Sequence, residues 1–81
     1  MDSSHTITRF IEISPHILGG QPHIVGHPVS VQDIALWYER MGLTAEQIAS
    51  KHNLSLAEVF AALAYYFHYR DKFDKSILDG A

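Results

Sequence analysis

The sequence predicts a mainly α fold: a three-helix bundle with a helix-turn-helix corner, preceded by a short N-terminal β strand or hairpin. Three observations carry this reading. Ser30, Thr44 and Ser55 each stand just before an apolar run of helical period, where a hydroxyl cap belongs. Gly42 and Asn53 stand where the first two runs stop, and both residue types tolerate the left-handed backbone that ends a helix. Ahead of Ser30 the chain is β-rich and broken by Gly and Pro. With 81 residues the chain is one domain, near the lower end of what folds alone. Hydrophobic residues are 47% and charged residues 19%, which places it among packed chains rather than disordered ones. The expected division is a β- and turn-rich segment over 1–29, the bundle over 30–72 and a tail over 73–81.

Each element follows from its residues. Ile7 to Ile13 alternates, with Ile7, Ile11 and Ile13 on one face and Arg9 interrupting it, so it reads as a strand that Ser14-Pro15 ends. Leu18-Gly19-Gly20-Gln21-Pro22 is a turn-rich stretch. His23-Ile24-Val25 is a short extended piece between that stretch and the turn at Gly26-His27-Pro28. The first helix is expected from about Val31 to Met41, with Gly42 as its left-handed stop. The second runs from about Ala45 to His52 and stops at Asn53. The third runs from about Leu56 to about Lys72. Thr44 with Gln47 and Ser55 with Glu58 have the spacing of a capping box. Ser30 with Asp33 is a weaker version, because Asp is shorter than Glu or Gln. In the corner from Ala45 to Ala62, Ile48, Leu54 and Val59 point inward, and small Ala49 permits close helix approach.

The third helix is apolar nearly all round. Leu56, Val59, Leu63 and Tyr66 form one stripe, Phe60 and Phe67 lie on a second flank, and Ala57, Ala61 and Ala64 make a third. Two short helices and a strand do not readily cover all of that. A two-fold homodimer is the simplest cover, with ordinary core under the N-terminal hairpin as the other reading. The expected dimer or partner interface is Leu56, Ala57, Phe60, Ala61, Ala64 and Phe67.

Several function classes are excluded or disfavoured. The chain has no cysteine, so it has no disulfide framework, no Cys-ligated zinc and no thiol nucleophile. No apolar run approaches the ~20 residues that span a membrane, and the N-terminus lacks the pattern of a secretory signal, so a cytoplasmic location is expected by default. Of the six histidines, His16, His23 and His27 fall in the turn-rich segment without a thiolate or carboxylate set beside them, and they read as exposed loop residues. His52 reads as a helix C-terminal cap. His68 reads as core-facing or interfacial. Trp37 and Tyr38 read as core and core-edge aromatics. No Ser/His/acid spacing and no phosphate loop is present, so neither enzymatic activity nor any cofactor or metal is expected. The net charge of −3 and the six Lys and Arg disfavour strong nucleic-acid binding. The expected recognition helix opens Ser55-Leu56-Ala57-Glu58, with an acid and no base where major-groove readers carry donors. Phosphate contacts, where made, fall to Arg9, Lys51, Arg70, Lys72 and Lys75.

Taken in order, Leu18-Gly19-Gly20-Gln21-Pro22-His23-Ile24, Gly26, Val29-Ser30-Val31, Gly42 to Ile48, Leu54 to Val59 and Ala61-Ala62-Leu63-Ala64-Tyr65-Tyr66 resemble a small bacterial family. It is known as domain of unknown function 433, whose members are also called VapB-like antitoxins. The resemblance covers about residues 5 to 70. It implies a homeodomain-like helical fold with an N-terminal β segment, commonly dimeric. It also implies a role in binding a small PIN-like nuclease toxin encoded alongside, with repression of the shared operon. Where the family usually reads Gly-Thr-Arg-Ile-Pro-Val, this chain has Gly26-His27-Pro28-Val29-Ser30-Val31. Pro28 replaces the arginine and Ser30 the proline.

Two function classes follow as expectations. One is a non-enzymatic interaction protein, the antitoxin-like subunit of a toxin–antitoxin pair, with Ile77 and Leu78 of the tail either lying in a partner's groove or fraying. The other is a dimeric helix-turn-helix transcriptional regulator that binds DNA weakly.

Overall fold

The structure is a computed structural model and describes residues 9–70. The expected start of the strand at Ile7, the third helix beyond Arg70, the tail over 73–81, and Lys72 and Lys75 lie outside the described residues. The elements run β1 (Ile11–Glu12), a 3-10 turn (Leu18–Gly20), β2 (His23–Ile24), α1 (Val31–Glu39), α2 (Ala45–His52) and α3 (Leu56–His68). This is the expected mainly helical bundle behind a small antiparallel sheet.

β1 and β2 pair Ile11 with Ile24 and Glu12 with His23. The pairing is shorter than the expected strand because the chain turns away at Ser14, whose carbonyl accepts from Ile17 at 3.1 Å. Ile13 therefore leaves the sheet. It is 59% exposed, whereas Ile11 is buried, so the two do not share a buried face as alternation suggested. The chain reverses after β2 at Gly26 (φ 81°), and the Ile24 amide donates to the Val29 carbonyl at 2.9 Å. His23 also bridges to Ser30, so β2 is flanked by chain on both sides. The hairpin reading of His23-Ile24-Val25 stands.

The three helices start where their caps dictate. Thr44 Oγ1 accepts from the Gln47 amide and the Gln47 side chain accepts from the Thr44 amide. Ser55 and Glu58 repeat both bonds. At Ser30 only the hydroxyl bond to the Asp33 amide forms. α1 ends at Glu39, two residues before the expected Met41. The Leu36 and Trp37 carbonyls are taken by the Met41 and Leu43 amides as the chain turns through Gly42 (φ 70°). α3 is continuous over Leu56–His68.

α3 packs most extensively on α1, and also on α2 and β2. The core comprises Ile11, Ile24, Val31, Ile34, Ile48, Leu54, Val59, Leu63 and Tyr66, with Ala35, Ala45, Ala49 and Ala62 where backbones approach. Tyr66 buries its ring and donates its hydroxyl to Glu39 Oε1 at 2.7 Å, which satisfies the one polar atom the core takes from α3. Trp37 packs against the core edge, and Tyr38 is 40% exposed.

Candidate interaction surface

The face that α3 turns away from the bundle follows from its sequence period. At about 100° per residue, Val59, Ala62, Leu63 and Tyr66 fall on one side, and all four are buried. The adjoining stripe, Leu56, Phe60, Ala64 and Phe67 at spacings of four, four and three, is exposed. Leu56 is 43%, Phe60 53% and Phe67 45% exposed. Leu56 thus belongs to the outer stripe, not to the inner one with Val59 as its spacing suggested. Of the remaining expected interface residues, Ala57 is exposed and Ala61 is half-buried.

α1 and the α1–α2 connection enlarge this face. Tyr38 meets Phe67 edge-on, with ring centroids 6.5 Å apart. Met41 is 60% exposed. An open groove of about 550 Å³ is lined by Tyr38, Gly42–Glu46 and Phe60. Its walls are mainly apolar and its mouth is wide, which suits a side chain offered by a partner better than an enclosed small ligand. Tyr38 lies at the core edge as expected, whereas Met41 was not singled out as a surface residue. Their placement depends on how α1 lies against α3, and no local period encodes that.

Polar groups at the two ends of α3 are already engaged. At its start, Glu58 caps the helix and faces His27 Nε2 at 3.5 Å. At its end, Arg70 lies 3.7 Å from Glu39 and 5.8 Å from the centre of the Phe67 ring. Glu39 therefore ties the end of α1 to α3 through both Tyr66 and Arg70, an arrangement invisible in sequence because its members lie far apart. Of the expected phosphate contacts, Lys51 is exposed at the end of α2 and Arg9 is exposed ahead of β1. Arg70, beyond the C-terminal end of α3, lies beside Glu39.

The histidines depart most from expectation. His23 is not an exposed loop residue. It is 2% exposed, and its ring sits between the Gln21 carbonyl and Glu12 Oε1, both at 3.2 Å. Register explains this: pairing Glu12 with His23 puts both side chains on the same face of the sheet. His16 is exposed and His27 half-buried. His52 does more than terminate α2. Its ring stacks on Trp37 at 3.8 Å and 2°. His68 is exposed beside Tyr69. Among the described residues, no three His, Asp or Glu side chains converge as a metal ion requires. No helix among them is long and apolar enough to cross a membrane. Tyr65, half-buried with Tyr69 4.7 Å away, has its phenol pushed above the ordinary tyrosine value by burial and then by that neighbour.

Residues 11–66 match the model of the family described as Protein of unknown function (DUF433), a span well over half the chain. The chain belongs to the DUF433 family. Its crystallised relatives include a DUF433 member protein from Anabaena variabilis ATCC 29413, with a TM-score of 0.76 and 22% identity over 93% of this chain and 74% of that one. At that identity the likeness establishes the shared fold. No curated protein matches. In this DUF433 chain the matched span begins and ends on core residues, Ile11 and Tyr66, so it takes in the whole core cluster. Phe67 and Arg70 fall just beyond it.

Proposed function

We propose that this DUF433 protein is a non-enzymatic interaction subunit that self-associates through the outer stripe of α3. In this reading it serves as the antitoxin-like member of a pair with a small PIN-like nuclease. The observation that supports it is the exposed stripe of Leu56, Phe60 and Phe67 with Tyr38 beside it. Three large apolar side chains on one helix, with Glu46 beside Phe60 in the groove wall, are the composition of a protein-binding face. Affinity capture of the tagged chain from its own host's lysate, read by mass spectrometry, tests the partner. Recovery of a PIN-like nuclease at near-equal stoichiometry, lost with Phe60→Asp, supports the reading. Recovery of the chain alone as a homodimer removes the nuclease from it.

The second reading is a dimeric helix-turn-helix regulator. It draws on the corner in which α2 turns into α3 through left-handed Asn53 (φ 56°). Against it stand the acid in the first turn of α3 and the engagement of Arg70 with Glu39. A gel-shift titration on the protein's own upstream DNA decides. Binding weaker than about micromolar at moderate salt is no better than non-specific background.

A further inference from the structure

β2 buries a polar ring where an apolar side chain would pack without needing hydrogen-bond partners: His23 is 2% exposed. What the ring does is hold a carboxylate. Its Nε2 lies 3.2 Å from Glu12 Oε1 and its Nδ1 3.2 Å from the Gln21 carbonyl. Glu12 is thereby fixed on the sheet although its side chain is 48% exposed. Among the described residues, its other oxygen takes no bond.

That carboxylate lines an open hollow of about 250 Å³ together with Ile17, His23, Gly26, His27 and Pro28. Ile17, Gly26 and Pro28 give it apolar walls, and no Lys or Arg is among the lining residues. His27 faces Glu58 on α3, with Nε2 3.5 Å from Oε2, so a second carboxylate stands behind that wall. An apolar recess with a carboxylate held at its side suits a hydrocarbon stem that ends in a positive head. The loop beside the hollow adds a second observation. Leu18, next in the chain to Ile17, has φ 51°, a left-handed backbone that strains a bulky residue. Yet Leu18 is 41% and Ile17 39% exposed. The strain secures no burial of Leu18 among the described residues; it presents an apolar side chain to the outside.

We infer that this hollow receives a lysine or arginine side chain of a partner protein, whose apolar neighbours rest on Ile17 and Leu18. Glu12 is the charged contact, and His23 is the positioning residue that holds its carboxylate in place. The net charge of −3 draws a basic segment toward the chain. A free amine would fill the recess but leave the two exposed apolar side chains in water, whereas a protein segment covers both. The hollow shares no residue with the outer stripe of α3, so the inference stands whether or not self-association through that stripe holds.

The probe is the capped tripeptide acetyl-Leu-Arg-Leu-amide, titrated into the native chain and followed through the backbone amide shifts in NMR. Saturable shifts should centre on Glu12, Ile17, His23 and His27. Binding should be about tenfold tighter than that of acetyl-Leu-Gln-Leu-amide, the contribution of one charge-assisted bond. Equal binding of the two peptides, or shifts centred on Tyr38 and Phe60, overturns the inference. The bare guanidinium ion, at non-denaturing concentration and matched ionic strength, should bind severalfold more weakly than the arginine peptide. Equal affinity would make this a small-cation site and overturn the protein partner. Glu12→Gln should weaken the arginine peptide to the level of the glutamine one. Leu18→Asn keeps a residue type that tolerates the left-handed backbone, so its unfolding midpoint should be unchanged or higher while peptide affinity falls severalfold. Unchanged affinity in either variant overturns the inference. Phe60→Asp should bind the peptide as the native chain does, and a loss there would place the binding on α3 instead.

Discussion

Asn53 carries the reversal between α2 and α3 on a single left-handed residue, and its amide still reaches the Ala49 carbonyl. An L-residue with a branched side chain pays about 1–2 kcal/mol for that backbone. Asn53→Val should lower stability by about that much in chemical denaturation, while Asn53→Gly should leave it nearly unchanged. Ile48 is fully buried between the helices, and Ile48→Ala should cost about 2–5 kcal/mol, a large share of what so small a domain possesses. Tyr65 gives a pH prediction with a definite sign. Its environment favours the neutral phenol, so the fold keeps the proton that the unfolded chain loses near pH 10. The stabilisation is whole below that value and lost as pH rises above it. A spectrophotometric tyrosine titration should show a late component that Tyr65→Phe diminishes by one tyrosine. A titration unchanged by that substitution would refute the assignment.

The elements show how local chemistry and distant contacts divide the information. Both capping boxes were legible at Thr44 and Ser55 because cap, helix start and reaching side chain lie within four residues. Ser55→Ala should therefore destabilise α3 by about 1 kcal/mol, measurable as a fall in denaturation midpoint. Asp33→Ala should cost less, since the Asp33 side chain closes no box and only its amide is used. The stops at Gly42 and Asn53 were legible for the same local reason. The outer limits were not. α1 ends before Met41 because its last carbonyls are claimed by the turn through Gly42, and β1 is short because Ser14 draws the chain back. His23 was misread as exposed because its partner Glu12 sits eleven residues away, on a strand whose register the alternation alone does not fix. Leu56 has the spacing of the buried stripe yet is 43% exposed, on the side where the expected interface also placed it.

For the whole molecule the consequence lies in how little of α3 the other described residues cover. Its inner side is closed by α1, α2 and the hairpin, and its outer stripe is left with Leu56, Phe60 and Phe67 in water. A fold this small gains little from those three while alone, so a substitution among them should separate folding from association. Phe60 is the best site, being the most exposed of the three and a wall of the groove beside Gly42–Glu46. Phe60→Asp should change the unfolding free energy by no more than about 0.5 kcal/mol, as surface replacements do. In an association through this face it removes a central aromatic and buries a charge. That should cost about 2 kcal/mol or more, roughly thirtyfold in Kd. Sedimentation equilibrium of the native chain and of Phe60→Asp measures this directly. The native chain should self-associate and the variant should remain monomeric at the same concentration with unchanged helical circular dichroism. Self-association of equal strength in both would remove the α3 stripe as the contact, whereas a variant that loses its helix signal would show Phe60 to be core after all. Met41→Asp, on a loop residue 60% exposed, supplies a charge control at the rim, and there the effect on association should be smaller than at Phe60.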